Sequence, residues 1–333
     1  MSHQKVRWGI AGLGGIAHRF AADLTQQAEN AELYAVAASQ LPRAEQFAGA
    51  WLCPVSYGSY LELAQDPLVE AVYVAGINPL HRSMVELFLS HGKHVLVEKP
   101  AFTNLKDWDE MQALAQSKQV VLCEAMKSVV FPAYQHLRRF IWENHLQIDS
   151  VAAAFGFSNP FDVSNRLFNS DLCGGATLDV GVYALWLYAD LCHLTQTPIM
   201  KPSLQLIQDN PESKVDETVT FLFDAPIQGA MGASITRDLS KEAVILGPDL
   251  KIVIHEKWWN PKTIDICYQG HEQQLTTPER GGGFEYEIEH VSELILTNKL
   301  QSDILRSETS RAVISIMENS LIEMGFKHLL YAQ

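Results

Sequence analysis

The chain has 333 residues, of which 47% are hydrophobic, and a formal net charge of −14. This length favours two domains, because a single core stops growing at about 250–300 residues. The negative charge argues against a nucleic-acid partner, since phosphate binding needs clustered Lys and Arg, so we expect a small-molecule ligand.

The five cysteines are odd in number and form no Cys-x-x-Cys pair. This usage favours reduced thiols in a cytoplasm and predicts neither a disulfide framework nor a metal site. We also expect no apolar segment of the ~20 residues needed to cross a bilayer, and therefore no membrane association.

A buried strand over residues 6–11 is predicted first, followed by a glycine-rich loop and a helix. A G-x-G-x-x-A loop in this position lets a dinucleotide pyrophosphate approach the N–H groups at the helix start. The alternative is that the glycines only turn the chain. The loop residues predicted to contact the cofactor are Gly12, Gly14, Gly15, Ile16 and Ala17.

The second strand, over residues 33–38, ends without the acid that usually holds the ribose 2′-hydroxyl of NAD. It is followed by Ser39 and Arg43, a hydroxyl and a cation that could bind a 2′-phosphate. NADP(H) is therefore favoured, with NAD(H) still possible. The alternative is that Ser39 caps the next helix and Arg43 faces solvent.

The alternation of strands and helices continues, which predicts a parallel sheet. Asn78 and His81 follow a strand at the edge where open α/β sheets bind ligands, so both could line the cofactor site. The alternative is an Asn-Pro turn that leads into a helix, and it explains the two residues equally well. The next strand ends in Glu98-Lys99-Pro100 and delivers two charges to the same edge. The predicted elements are helix 59–64, strand 71–75, helix 83–90, strand 93–97, helix 105–116 and strand 120–124.

From residue 150 short alternating runs predict a mostly antiparallel sheet, followed by helices over 285–296 and 307–324. We therefore predict an α/β protein with a doubly wound parallel sheet in a dinucleotide-binding domain, residues 1–149, and a second α/β domain, residues 150–333. The strands predicted in the second domain are 151–157, 204–208, 218–223, 229–236, 243–246, 251–255 and 263–268.

A helix predicted after Gly174-Gly175 carries Asp179 and Tyr183, which are four residues apart and share a face. Gly181 costs ~1 kcal/mol relative to Ala inside a helix. This cost suggests a bulky neighbour such as a nicotinamide ring or a substrate. The alternative is that the helix packs closely on the sheet, with Tyr183 as a core aromatic residue.

Three motifs in this order resemble the Gfo/Idh/MocA (glucose-fructose oxidoreductase and inositol dehydrogenase) family over nearly the whole chain. They are Gly12-x-Gly14-x-x-Ala17, Glu98-Lys99-Pro100 and Gly174-Gly175-x-x-x-Asp179-x-Gly181-x-Tyr183. Glu124-Ala125 and Phe131-Pro132 look most like the dimeric dihydrodiol dehydrogenase and D-xylose NADP dehydrogenase branch. The resemblance implies a Rossmann domain and a second, substrate-binding domain whose open sheet forms the interface of a homodimer or homotetramer.

The resemblance also implies an NAD(P)-dependent oxidoreductase that acts on a CH–OH group of a sugar, polyol or vicinal diol. Tyr183 would be the acid/base group, because a nearby ammonium, Lys99, stabilises a phenolate whose ordinary pKa is ~10. Asp179 would position the substrate or Lys99, and Glu98 and Lys99 would border the cofactor. The same fold also serves a nucleotide-sensing regulator and carbonyl or keto-sugar reductases, which are the alternatives.

This chain departs from the dihydrodiol dehydrogenase pattern after Glu124-Ala125. It has Lys127 and Val129 where that branch has an aromatic residue and an Arg. A Lys there favours a polar or anionic sugar-like substrate, unless its side chain extends to solvent. Arg166, in the loop before the glycine pair, is a weaker candidate for cofactor or substrate contact.

Overall fold

A computed structural model describes residues 4–330, and its contacts divide the chain into two compact units. The first unit holds the described residues up to Phe102, with Lys106–Lys127 and Glu279–Ser307. The second holds Thr103–Leu105, Ser128–Pro278 and the described residues from Glu308 onward.

This division differs from the predicted boundary between residues 149 and 150. Helix α8, Phe284–Leu296, follows the second sheet in sequence but belongs to the first unit. Its Ser292 Oγ accepts a hydrogen bond of 2.9 Å from Trp8 Nε1, and Asp23 accepts from the N–H groups of Gly282 and Phe284 at its start. A single cut in the sequence therefore cannot separate the two units.

The first unit contains a six-stranded parallel sheet in the order β3-β2-β1-β4-β5-β6. This doubly wound order places the ends of β1 and β4 at the point where the strand order reverses. The three-residue strand β3 was not predicted, because its side chains are only half-buried. The strands are β1 Val6–Ala11, β2 Ala31–Ala37, β3 Val55–Tyr57, β4 Ala71–Val74, β5 His94–Glu98 and β6 Leu122–Ala125.

Strand β4 and the middle of β5 are apolar and buried, as expected where helices cover both faces of a parallel sheet. Helix α4 begins at Asn78, five residues earlier than predicted. The Asn-Pro pair starts this helix, since proline is tolerated in a first helical turn. The helices that accompany this sheet in sequence are α1 Gly15–Gln26, α2 Leu41–Trp51, α3 Tyr60–Gln65, α4 Asn78–Ser90 and α5 Leu105–Lys118.

The second unit contains an eight-stranded sheet in the order β14-β13-β12-β11-β7-β10-β9-β8. Among the strands described within residues 4–330, β7 and β10 are the one pair of this sheet that runs in parallel, so the predicted mostly antiparallel sheet is confirmed. Strand β14 was missed because its residues are polar and exposed at the edge. The strands are β7 Ser150–Gly156, β8 Ser203–Ile207, β9 Thr218–Phe223, β10 Gln228–Ser234, β11 Ala243–Gly247, β12 Leu250–Ile254, β13 Thr263–Tyr268 and β14 His271–Thr276.

The predicted helix after the glycine pair begins with one turn of π-helix, Thr177–Gly181, and continues as α7, Val182–Leu194. The surrounding stretch Ser170–Leu194 is long and apolar enough to cross a membrane, which corrects the expectation that no such segment exists. Most of it is buried inside the second unit, as in the core helix of a globular protein. Two further α-helices are α6 Pro132–Glu143 and α9 Ser307–Glu323.

Candidate active site

The loop after β1 has the backbone geometry of a nucleotide cradle. Gly12 has φ +90°, and a Cβ there would lie 2.8 Å from the Gly76 N atom, so only glycine fits. Gly14 is the N-cap residue of α1, and no side chain caps this helix start. No atom lies within 4 Å of the position that a Cβ of Gly14 or Gly15 would take. The N–H groups at this helix start are therefore accessible to an anion.

Ser39 and Arg43 are both exposed beyond the end of β2. The cap residue of α2 is Gln40, with extended backbone and no side-chain cap bond, so Ser39 does not cap this helix. Because β2 is the neighbour of β1, Ser39 lies at the strand end beside the glycine loop.

His81 is 1% exposed and does not present its ring to an open site. Its Nδ1 atom lies 3.0 Å from the Pro100 carbonyl oxygen, and its Nε2 atom lies 3.0 Å from the Gly76 carbonyl oxygen. Burial lowers the pKa of His81, so the ring is neutral and donates from one nitrogen at a time. The structure favours a role in tying the loop after β4 to the loop after β5.

Replacing His81 by Phe is expected to destabilise the first unit by roughly 1–3 kcal/mol, because main-chain carbonyls lose their donor. Urea unfolding measures this loss. His91→Phe, which makes the same change at the exposed end of α4, is the control. If the two variants were equally stable, His81 would not be stabilising the connection between the loops after β4 and β5.

The Glu98-Lys99-Pro100 motif forms the end of β5 and the turn that follows. Glu98 accepts hydrogen bonds from Tyr73 Oη and, at 3.1 Å, from the backbone N–H of Lys99. The Lys99–Pro100 peptide bond is cis. The next residue, Ala101, donates its N–H to buried Glu124 at 2.9 Å. Lys99 thus leaves the sheet at the same edge as the glycine loop.

Lys127 does not extend freely into solvent. Its Nζ donates to the Gly282 carbonyl oxygen at 3.0 Å and lies 4.6 Å from the centre of the Phe284 ring. Burial lowers the pKa of Lys127, and the nearby carboxylates of Glu287 and Glu98 oppose this change. The Lys127 ammonium group is therefore held by other residues of the first unit.

In the second unit the π-helical turn is held by a buried acid. Asp216 accepts from the Thr177 N–H and hydroxyl, each at 2.7 Å, and burial raises the pKa of Asp216 to about 6. Gly175 has φ +106°, and a Cβ there would lie 2.3 Å from the Asp216 carboxylate. The glycine pair is thus required by the turn itself.

The predicted space beside Gly181 is filled by the sheet. A Cβ at Gly181 would lie 3.3 Å from the Cβ of Ala233 in β10, so close helix–sheet packing explains this glycine. The expectation of a ligand beside it was wrong.

Asp179 lies in the π-helical turn and pairs with Arg166, with 2.9 Å between Oδ1 and Nη2. Asp179 is 12% exposed at its side chain, whereas Arg166 is 48% exposed. The salt bridge joins the loop before the glycine pair to the turn after it. Two of the predicted site residues are therefore neighbours.

Tyr183 lies at the start of α7, half-buried, with its ring 5.5 Å from that of Phe155. Phe155 in turn stacks on Trp259 at 3.6 Å with an angle of 8° between the rings. These three rings, all partly exposed, form an aromatic wall.

The sequence interpretation missed Phe155 and Trp259 as site residues. The signal available was an aromatic residue at the end of a predicted strand and the Trp258-Trp259 pair, but neither indicates which helix it will face. Lys99 belongs to the first unit and Tyr183, Asp179 and Arg166 to the second. Their cooperation remains a prediction.

Comparison with known proteins agrees with this architecture. Residues 6–126 match GFO_IDH_MocA, an oxidoreductase family with an NAD-binding Rossmann fold. The chain is 32% identical over 324 residues to trans-1,2-dihydrobenzene-1,2-diol dehydrogenase of Homo sapiens, covering 94% of this chain and 95% of the relative. The chain therefore belongs to the Gfo/Idh/MocA family and is an oxidoreductase.

Solved structures share the fold across nearly the whole chain. KijD10, a 3-ketoreductase from Actinomadura kijaniata in complex with NADP and TDP-benzene, has a TM-score of 0.78 at 21% identity, covering 97% of this chain and 98% of its own. A levoglucosan dehydrogenase in complex with NADH and levoglucosan has a TM-score of 0.81 at 17% identity, covering 98% of each chain.

Proposed function

We propose that this protein is an NADP(H)-dependent oxidoreductase that transfers hydride between nicotinamide and a small hydroxylated substrate. The observation that carries the proposal is the edge of the parallel sheet. The glycine cradle follows β1, and Lys99 follows β5, two strands away across β4. A nucleotide-binding loop and a reactive cation thus share one sheet edge.

The residues present fit a dinucleotide. Gly12 allows the close backbone turn, and the uncapped start of α1 offers N–H groups to a pyrophosphate. Exposed Ser39 and Arg43, with no acid among residues 38–44, suit a 2′-phosphate. The NADP-bound 3-ketoreductase supports this choice, and the NADH-bound levoglucosan dehydrogenase keeps NAD(H) as the alternative.

Arg43→Ala is expected to raise the Kd of NADPH about tenfold or more, because charge-assisted hydrogen bonds contribute roughly 1.5–3 kcal/mol. The Kd of NADH should stay within about twofold, since NADH lacks the 2′-phosphate that the charge would bind. Fluorescence titration measures both constants. Gln46→Ala, at another exposed position of α2, is the control. A wild-type protein that prefers NADH at equal concentration would contradict this assignment.

In the proposed reaction Tyr183 takes the proton of the substrate hydroxyl during oxidation and returns it during reduction. Lys99 hydrogen-bonds the same oxygen and favours the phenolate of Tyr183. When bound, nicotinamide accepts or donates the hydride. Asp179, held by Arg166, positions a hydroxyl of the substrate.

The lining of the second unit suggests the substrate class. Phe155 and Trp259 offer aromatic faces beside Tyr183, and such faces suit the C–H face of a sugar ring or a cyclic diol. The half-exposed Arg166 side chain and the Asp179 carboxylate suit hydroxyl groups. We therefore infer a sugar, polyol or vicinal diol, and we place Lys127 outside the substrate contacts because its ammonium is engaged within the first unit.

A substrate screen by NADPH absorbance in both directions tests the function. Pentoses, hexoses, inositols and vicinal diols are offered with NADP⁺, and keto sugars with NADPH. Turnover of at least one class supports the proposal. NADPH binding without turnover across the whole panel would favour the nucleotide-sensing alternative. Faster reduction than oxidation would favour the keto-sugar reductase alternative, to which the related 3-ketoreductase fold also points.

The open face of the second sheet suggests self-association. Ala152, Ala230 and Leu246 are exposed on neighbouring strands there, and Val244 is half-exposed. We infer a homodimer or homotetramer through this face, which sedimentation velocity tests; a monomer at micromolar concentration would contradict it.

We also infer a cytoplasmic location, in keeping with five free cysteines. Protease protection in fractionated cells checks the location.

A further inference from the structure

Glu287 of α8 is a fully buried acid that the proposed reaction does not use. Its side chain is 0% exposed, and neither Oε1 nor Oε2 has a hydrogen-bond partner among residues 4–330. An ionised carboxylate in such a place loses its hydration and gains no hydrogen bonds in return, which is costly by several kcal/mol. Burial accordingly raises the pKa of Glu287 well above its ordinary value.

The titratable and charged groups around Glu287 come from several elements of the first unit and include both acids and cations. Glu98 ends β5, and Lys127 follows β6 and supplies a nearby cation. The negative charge of Glu98 disfavours the ionisation of Glu287. The titratable and charged groups facing Glu287 or its neighbours are Glu98, Lys99, Lys127, Asp23, Glu285, Cys123, Tyr73 and Arg19.

Glu98 and Glu287 differ in their hydrogen bonds. Both Glu98 oxygens are engaged by donors, one by Tyr73 Oη and the other by the Lys99 N–H. Burial raises the pKa of Glu98 as well, but these donors and the nearby Lys99 and Lys127 cations act against that rise and favour its ionised form. Glu287 has no hydrogen-bond donor among the described residues. If Glu98 and Glu287 together hold a single proton, that proton is therefore on Glu287.

Resting on the proposed function, we propose that Glu287 is a positioning residue that stores this proton. It leaves Glu98 as the ionised acceptor that fixes the Lys99 turn, and Lys127 offsets the remaining charge. Loss of the proton would place a second negative charge beside Glu98 and weaken the positive field that Lys99 offers to a developing oxyanion.

The stored proton can be measured without turnover. Infrared spectra of the wild-type protein should retain the carbonyl band of a protonated carboxylic acid at pH 7, and Glu287→Gln should remove it. Absence of the band from wild-type protein at pH 7 would overturn the proposal, whether or not the variant folds.

Stability against pH gives a second measurement. Because the folded-state pKa of Glu287 is raised, the folded protein binds more protons than the unfolded chain between the two pKa values. The wild-type folding constant, relative to Glu287→Gln, should therefore fall as pH rises from 5 to 8, by up to about tenfold per pH unit. Lys127→Met should extend this fall to higher pH, because the cation that lowers the pKa of Glu287 is gone. A ratio that is constant across this range would overturn the proposal.

The kinetic test separates positioning from a purely structural role. In the pH profile, the wild-type kcat should decline at the high pH at which Glu287 loses its proton. The profile of Glu287→Gln should lack this decline, while KM for the substrate stays the same. Glu293→Gln, at an exposed position of the same helix, should retain the wild-type profile. An identical decline in Glu287→Gln would refute positioning. If no substrate is turned over, the proposed function fails. The infrared and unfolding measurements would still show whether Glu287 is protonated in the folded protein.

Discussion

Replacing Tyr183 by Phe is expected to lower kcat at least about 100-fold, because positioned acid/base groups typically contribute 10²- to 10⁴-fold. The phenylalanine ring keeps the contact with Phe155 and removes only the hydroxyl. The Kd of NADPH should therefore remain within about twofold. Steady-state rates and fluorescence titration on the same preparation measure the two quantities.

Tyr268→Phe is the matched control for Tyr183→Phe. Tyr268 is also a half-buried residue of the second unit, with its ring 5.9 Å from a phenylalanine, Phe140. Its variant should keep wild-type turnover. Turnover of Tyr183→Phe within about threefold of wild type would remove Tyr183 from the proposed role.

Lys99→Ala should also lower kcat about 100-fold, and it should weaken NADP(H) binding as well. Lys99 follows β5 at the sheet edge that carries the glycine cradle, and in the proposed reaction its ammonium binds the reacting oxygen, so its loss should affect both that oxygen and the cofactor. Lys99→Arg keeps the charge but changes its shape and donor geometry, so it should retain more cofactor affinity than Lys99→Ala.

The control for Lys99→Ala is Lys118→Ala, which removes an exposed cation from the last turn of α5 in the same unit. It should leave kcat and the Kd of NADPH as in the wild type. If Lys99→Ala changed only KM for the substrate, with kcat intact, Lys99 would contribute uniform binding and not transition-state stabilisation.

The parallel sheet was predictable because its strands are continuous apolar runs separated by helical segments. The two strands that were missed, β3 and β14, are short or exposed and lack that pattern. The π-helical turn was missed for a different reason. It depends on Asp216, which binds Thr177 from 39 residues away in sequence, and no local pattern records that contact.

The same limit applies to the candidate site. Gly12 was predictable because its conformation is local, whereas His81 carried two explanations that only its three-dimensional neighbours could distinguish. The engagement of Lys127 depends on Gly282 and Phe284, about 155 residues further along the chain. Residues whose roles depend on distant partners therefore stayed ambiguous in the sequence.

The assignment of α8 to the first unit has a consequence for biosynthesis. A ribosome releases β1 to β6 long before it releases the helix that receives the Trp8 hydrogen bond and whose start Asp23 binds. The nucleotide-binding unit is complete only after residue 307 of 333 has been made. Until then its nascent sheet exposes the apolar surface that α8 later covers, which makes this interval the one in which a chaperone would be most useful.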